Sequence, residues 1–102
     1  QESKEALKFI RMNSKDRLDF IKGLLIEEDE DEESVSLYSP RSKSLKLLNA
    51  LELVLHKKSI SEKTLDGNIF EHMFNVRKFL RQPGSSPKTL MESVALVVPN
   101  FN

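Results

Sequence analysis

Ser44-Leu45-Lys46-Leu47-Leu48-Asn49-Ala50-Leu51-Glu52-Leu53-Val54-Leu55 is the stretch on which the fold turns. Leu45, Leu48, Leu51 and Leu55 recur at intervals of three and four, and Leu47, Ala50 and Val54 widen the stripe. A helix brings such positions onto one face, whereas a strand would divide them between two. A helix so rich in leucine belongs at the centre of a core. Its predicted end is His56-Lys57-Lys58, where cations complement the negative helix terminus.

Downstream, Ser59-Ile60-Ser61-Glu62 has the form of a capping box and predicts a new, short helix. Gly67 is expected to close it in the left-handed region. Asn68, with Glu71 three residues on, then opens a longer helix striped by Ile69, Met73, Val76 and Leu80. Phe70, Phe74 and Phe79 broaden that stripe and are expected chiefly in the core; one left exposed would be the natural centre of an interface. Gln82-Pro83-Gly84 stops the helix. Ser86-Pro87 opens the last one, with proline at the first helical position, where a missing amide costs nothing. Leu90, Met91, Val94, Val97 and Val98 are expected to face inward until Pro99. Val94 to Val98 is β-branched enough to tolerate extension, but no segment alternates long enough to predict a strand.

Upstream, Ser3 to Met12 reads as a helix with Leu7, Ile10, Ala6 and Phe9 on its apolar side. Asn13-Ser14 interrupts it and offers an N-cap. Leu18, Ile21, Leu24 and Leu25 then form an amphipathic stripe to about residue 26, opposite Lys15, Asp19 and Lys22. Two helices and one kinked helix both fit this pattern. Glu27 to Ser42 has no periodicity. It holds seven successive carboxylates, Glu27 to Glu33, and is expected to be a long solvated loop. Ser34, Ser36 and Ser39 lie beside the acids, where phosphorylation would deepen the negative charge.

The fold class expected is therefore all-α: a compact bundle of five to six short helices with a long acidic loop. Residues 1–26 form an N-terminal helical segment, 27–43 the acidic and Ser-rich loop, and 44–102 the bundle core of one domain. A chain of 102 residues suits a single domain. Its hydrophobic share of 38% and charged share of 31% fit a small core beside a charged surface. The net charge is zero but unevenly placed: residues 1–40 carry 11 acids and 6 bases, residues 41–102 carry 5 acids and 10 bases. Outside the acid run the domain is mildly basic.

The chain has no cysteine, which excludes disulfides, cysteine zinc sites and thiol catalysis. No apolar run is long enough to span a membrane, so no membrane partner is expected. No signal-peptide pattern opens the chain, and with Gln1 at its head it reads as a piece of a longer one. His56 and His72, the two histidines, lack the spacing that sets metal ligands on one helix face, and are read as surface or boundary residues. The acid run lacks the alternation and central glycine of a calcium loop. No nucleophilic triad, phosphate-cradling glycine loop or paired carboxylates in an apolar setting can be read, so neither an enzyme nor a cofactor is expected.

Arg77, Lys78 and Arg81, with Lys88 across the turn, make the densest basic group, and Arg77 and Arg81 share a helix face. Three readings compete: solvent-facing charges at a helix end, contacts to the acids of a partner peptide, or contacts to nucleic acid. One short patch on a neutral domain is a weak nucleic-acid footprint. A homo-oligomer pairing its aromatic face is a further alternative; the sequence does not fix the oligomeric state.

Leu51 through Phe101 resembles the N-terminal domain of transcription elongation factor S-II, a family whose relatives include Mediator and Elongin subunits and the integrase-binding module of the LEDGF co-activator. The parts that carry the resemblance are the leucine-striped helix Leu45–Leu55, Ser61-Glu62-Lys63-Thr64-Leu65, Asn75-Val76-Arg77-Lys78-Phe79-Leu80-Arg81, and Lys88–Val98, preceded by Asp16–Leu25 as a first helix. The chain departs from the family in lacking its late tryptophan, where Phe101 stands, in having only Asp66-Gly67-Asn68-Ile69 at the glycine step, and in its longer acidic insertion. The resemblance implies a nuclear interaction module of transcription elongation or chromatin that grips short, disordered, acidic and hydrophobic segments of other nuclear proteins. The loop it implies for this contact runs from Arg81 through Gln82, Pro83, Gly84 and Ser85, flanked by Arg77, Lys78 and Lys88, and faces the acid-rich insertion.

Overall fold

A computed structural model of the chain describes residues 3–25, 39–62 and 67–101. Its helices are α1 (Ser3–Arg11), α2 (Ser14–Leu24), α3 (Pro40–Glu62), α4 (Gly67–Leu80) and α5 (Pro87–Val97). The described residues contain no strand, and the protein is a compact all-α bundle. No helix among them is long and apolar enough to cross a membrane.

The leucine stripe makes α3 the spine. Leu47, Leu48, Ala50, Leu51, Val54 and Leu55 are buried, and the helix packs against α1, α4 and α5. Each such leucine contributes roughly 1.5–3 kcal/mol by leaving water. Both ends of α3 differ from expectation. It begins at Pro40, where the Ser39 hydroxyl accepts the Ser42 amide at 3.1 Å, so residues 40–43 belong to the helix rather than the loop. Ser39-Pro40 thus uses the same cap-and-proline start as Ser86-Pro87.

At its far end α3 continues past His56-Lys57-Lys58 to Glu62. No new helix starts at the expected capping box, because the backbone there continues α3 and its amides already reach carbonyls one turn back. Residues 61 and 62 therefore end α3 instead of opening a short helix, and residues 63–66 lie outside the described ones. Gly67 opens α4 rather than closing a helix; the positive φ, 87°, belongs to Gly84. The acid run Glu27–Glu33, with Ser34 and Ser36, also lies outside the described residues.

The N-terminal segment is two helices. Asn13 stands between them with extended φ −76° and ψ 174°, and its side chain accepts the Asp16 amide at 2.8 Å. α1 buries Ala6, Phe9 and Ile10 and packs on α3, while Leu7, expected inside, is exposed. α2 buries Ile21, with Leu25 just beyond it, and packs on α5 instead. Phe9 and Phe20 meet edge to face at 5.8 Å.

Arg17 is the feature the sequence reading missed. It is 2% exposed and has no carboxylate partner among the described residues. Its guanidinium donates instead to the carbonyls of Phe9, Ile10, Ala95 and Pro99 at 2.9–3.0 Å, and to that of Val98. These oxygens lie at the carboxyl ends of α1 and α5, where the aligned peptide dipoles are negative. One of them needs such a donor: the amide that would close on Ala95 one turn later is missing, because residue 99 is proline. Desolvation lowers the Arg17 pKa from the usual arginine value.

In α4 the predicted stripe Ile69, Met73, Val76 and Leu80 is buried. Phe70 is half-buried, but Phe74 and Phe79, expected chiefly in the core, are 61% and 46% exposed. The stripe already fills the inward arc between α3 and α5, and positions 74 and 79 fall on either side of it. In α5, Met91, Val94 and Ala95 face inward, as does Val98 just beyond it; Val97, expected with them, is exposed.

Candidate functional site

The loop between α4 and α5 is built by its own sequence and held from behind by a helix far away in the chain. The Arg81 and Gln82 amides reach back three residues to the Lys78 and Phe79 carbonyls at 3.2 and 3.0 Å, tightening the end of α4 into a 3₁₀-type turn. Gly84 supplies the left-handed residue that turns the chain. The Ser85 hydroxyl donates to the Gln82 carbonyl at 3.0 Å. Ser86 then caps α5 by accepting the Thr89 amide.

Behind the loop stands Arg41 of α3. Its guanidinium donates to the Leu80 carbonyl at 2.7 Å, the Ser85 hydroxyl at 2.6 Å and the Ser85 carbonyl at 3.0 Å. These bonds fix the end of α4 and the loop to one another. Arg41 falls within the stretch expected to be the acidic loop, and nothing in its neighbours signals a clamp across the chain.

The six residues singled out from sequence fall into three settings. Arg77 is turned inward along the α3–α4 seam, where it pairs with Glu52 and donates to the Asn49 carboxamide oxygen at 2.8 Å. Lys88, in the first turn of α5, pairs with Glu92 at 3.0 Å. Lys78 and Arg81 are exposed and have no ion pair among the described residues. Gln82 and Pro83 form the exposed crest of the loop. Arg81 lies one residue beyond α4, so Arg77 and Arg81 do not continue one regular helix face.

The α3–α4 seam carries further features that composition alone did not signal. The His56 ring stacks on Phe70, with centroids 4.3 Å apart. Leu53 is 55% exposed on α3. His72 meets the Ser93 hydroxyl at 2.9 Å between α4 and α5. No group of three or more His, Cys, Asp or Glu side chains among the described residues could hold a metal. Elsewhere on α3, where it faces α1 and α2, Leu24, Leu47 and Ala50 floor an open groove rimmed by Lys4, Glu5, Lys43 and Lys46.

Chemically, this arrangement offers a preformed basic loop and exposed aromatic surface, both suited to holding a ligand in place. Comparison with protein-family models, curated proteins and solved structures gives no match.

Proposed function

We propose that this chain is a protein-interaction module of a nuclear transcription or chromatin regulator, and that it binds short, disordered, acidic and hydrophobic segments of other proteins. The carrying observation is the α4–α5 loop, clamped by Arg41, with Lys78 and Arg81 exposed beside it and without ion pairs among the described residues. A loop already held in one shape loses little entropy on binding. Uncompensated cations attract carboxylates, setting encounter rate and register more than final affinity. The nuclear setting and the class of partner rest on the resemblance to elongation-factor domains.

The test uses the whole chain and fluorescein-labelled synthetic peptides rich in Asp and Glu, with or without a phenylalanine. Fluorescence anisotropy and stopped-flow mixing would be recorded at low and moderate salt. Acidic peptides carrying phenylalanine are expected to bind, and K78E/R81E is expected to slow their association about tenfold at low salt. Binding indifferent to the charge reversal would remove the loop from the site; no binding by any acidic peptide would remove the function.

A further inference from the structure

We infer that the outward face of the α3–α4 pair is where the partner's apolar side chains sit, with Leu53 and Phe74 as the anchor of an acidic, amphipathic segment. This rests on the proposed capture of acidic segments and locates its apolar half.

The geometry follows from two cross-helix contacts. Asn49 and Glu52 meet Arg77, and further along the seam His56 stacks on Phe70. On a helix surface, residues three and four apart are neighbours. Leu53 is four after Asn49 and three before His56, so it lies between those two on α3. Phe74 is four after Phe70 and three before Arg77, so it lies between their partners on α4. The two exposed apolar side chains are therefore brought to the same level, on either side of one seam, with a stacked ring pair at one end and an ion pair at the other. Single exposed apolar residues are ordinary; two placed opposite one another, each more than half exposed, make a patch.

The surrounding charge selects the occupant. Lys57 lies one turn beyond Leu53, and Lys78 one turn beyond Phe74; Arg81 follows Arg77 past the end of α4. All three are exposed, and none has an ion pair among the described residues. Among the described residues one exposed acid, Glu71, stands against them, while Glu52 is committed to Arg77. A second copy of the chain docked by a two-fold axis would bring the same basic rim against itself. A nucleic-acid backbone would answer the rim and leave the apolar centre without a counterpart. A segment with apolar residues on one side and carboxylates on the flanks answers both.

The closing experiment compares the whole wild-type chain with L53S, F74S and the double variant, using labelled acidic peptides with a leucine–phenylalanine pair one helical turn apart. Circular dichroism verifies that each variant keeps its helix content and melting temperature, as the exposure of both side chains requires. The double variant is expected to bind about tenfold or more weakly, the loss concentrated in the dissociation rate. Equal binding by wild type and variants that melt alike would overturn this placement while leaving the function intact; no peptide binding by the wild type would overturn both. Sedimentation showing dimers that F74S dissolves would assign the face to a second copy. Retention of single-stranded or duplex oligonucleotides, lost in L53S/F74S, would assign it to nucleic acid. Should the double variant unfold, L53Q and F74Q singly are read by the same criteria, and unchanged peptide binding in both overturns the placement.

Discussion

Replacing Arg17 with methionine gives the sharpest test of how the bundle is held together. The substitution keeps side-chain length and removes every donor. Of the five carbonyls, Phe9 and Ile10 would keep backbone amides, from Met12 at 3.1 Å and Phe101 at 2.9 Å. Pro99 is exposed and can turn to water. Ala95 and Val98 are buried and have no backbone amide to take the guanidinium's place among the described residues. An unsatisfied buried carbonyl costs about 1–3 kcal/mol, so the two together cost roughly 2–6 kcal/mol. Relief of the buried charge offsets part of this, leaving a net loss of about 3 kcal/mol.

A domain of this size has about 5–15 kcal/mol in all, and each kcal/mol moves the melting temperature by roughly 4–8 °C. Urea and thermal unfolding followed by far-ultraviolet circular dichroism should therefore show Arg17→Met melting about 12–24 °C below wild type. Arg17→Lys keeps the charge but not the planar fork, and should recover only part of the loss. A loss below about 1 kcal/mol for Arg17→Met would mean that the buried carbonyls need no donor. Equality of lysine with arginine would show that charge alone matters.

Three further substitutions test other parts of the account. Arg41→Ala frees the α4–α5 loop, so limited trypsin digestion should cleave after Arg81 several-fold faster; an unchanged rate would mean the loop holds itself. The Ser44 hydroxyl is buried with no hydrogen-bond partner among the described residues, so Ser44→Ala should raise stability by about 1 kcal/mol in urea titration, and a loss would reveal a partner. Gly84→Ala has open space for its methyl group but a φ of 87°, so about 1 kcal/mol should be lost to backbone strain; no change in the urea midpoint would show that the turn relaxes freely.

The apolar skeleton was legible because burial follows helical spacing: the α3 leucines and the 69/73/76/80 stripe sit where their intervals put them. The Asn13 and Ser86 caps were legible too, since each is a local bond between a side chain and an amide three residues on. What escaped was long-range. Arg17 and Arg41 each fit the polar pattern of an ordinary helix, and their use depends on carbonyls that only the tertiary fold brings near. The Ser59–Glu62 box failed for the opposite reason: a valid local signal was overridden by a helix already in progress. For the candidate site, sequence located the basic residues but not their pairing, so Arg77 and Lys88 turn out to be engaged with Glu52 and Glu92. Phe74 was legible as a conditional hot spot, whereas its neighbour across the seam, Leu53, was hidden within the leucine-rich run.

The first two helices divide their allegiance, α1 lying on α3 and α2 on α5, so neither half of the chain seals its own interior. Severed between Leu25 and Ser39, the molecule would yield two pieces with matching sticky surfaces. Such pieces are raw material for reconstitution, each lending the other the shelter it lacks.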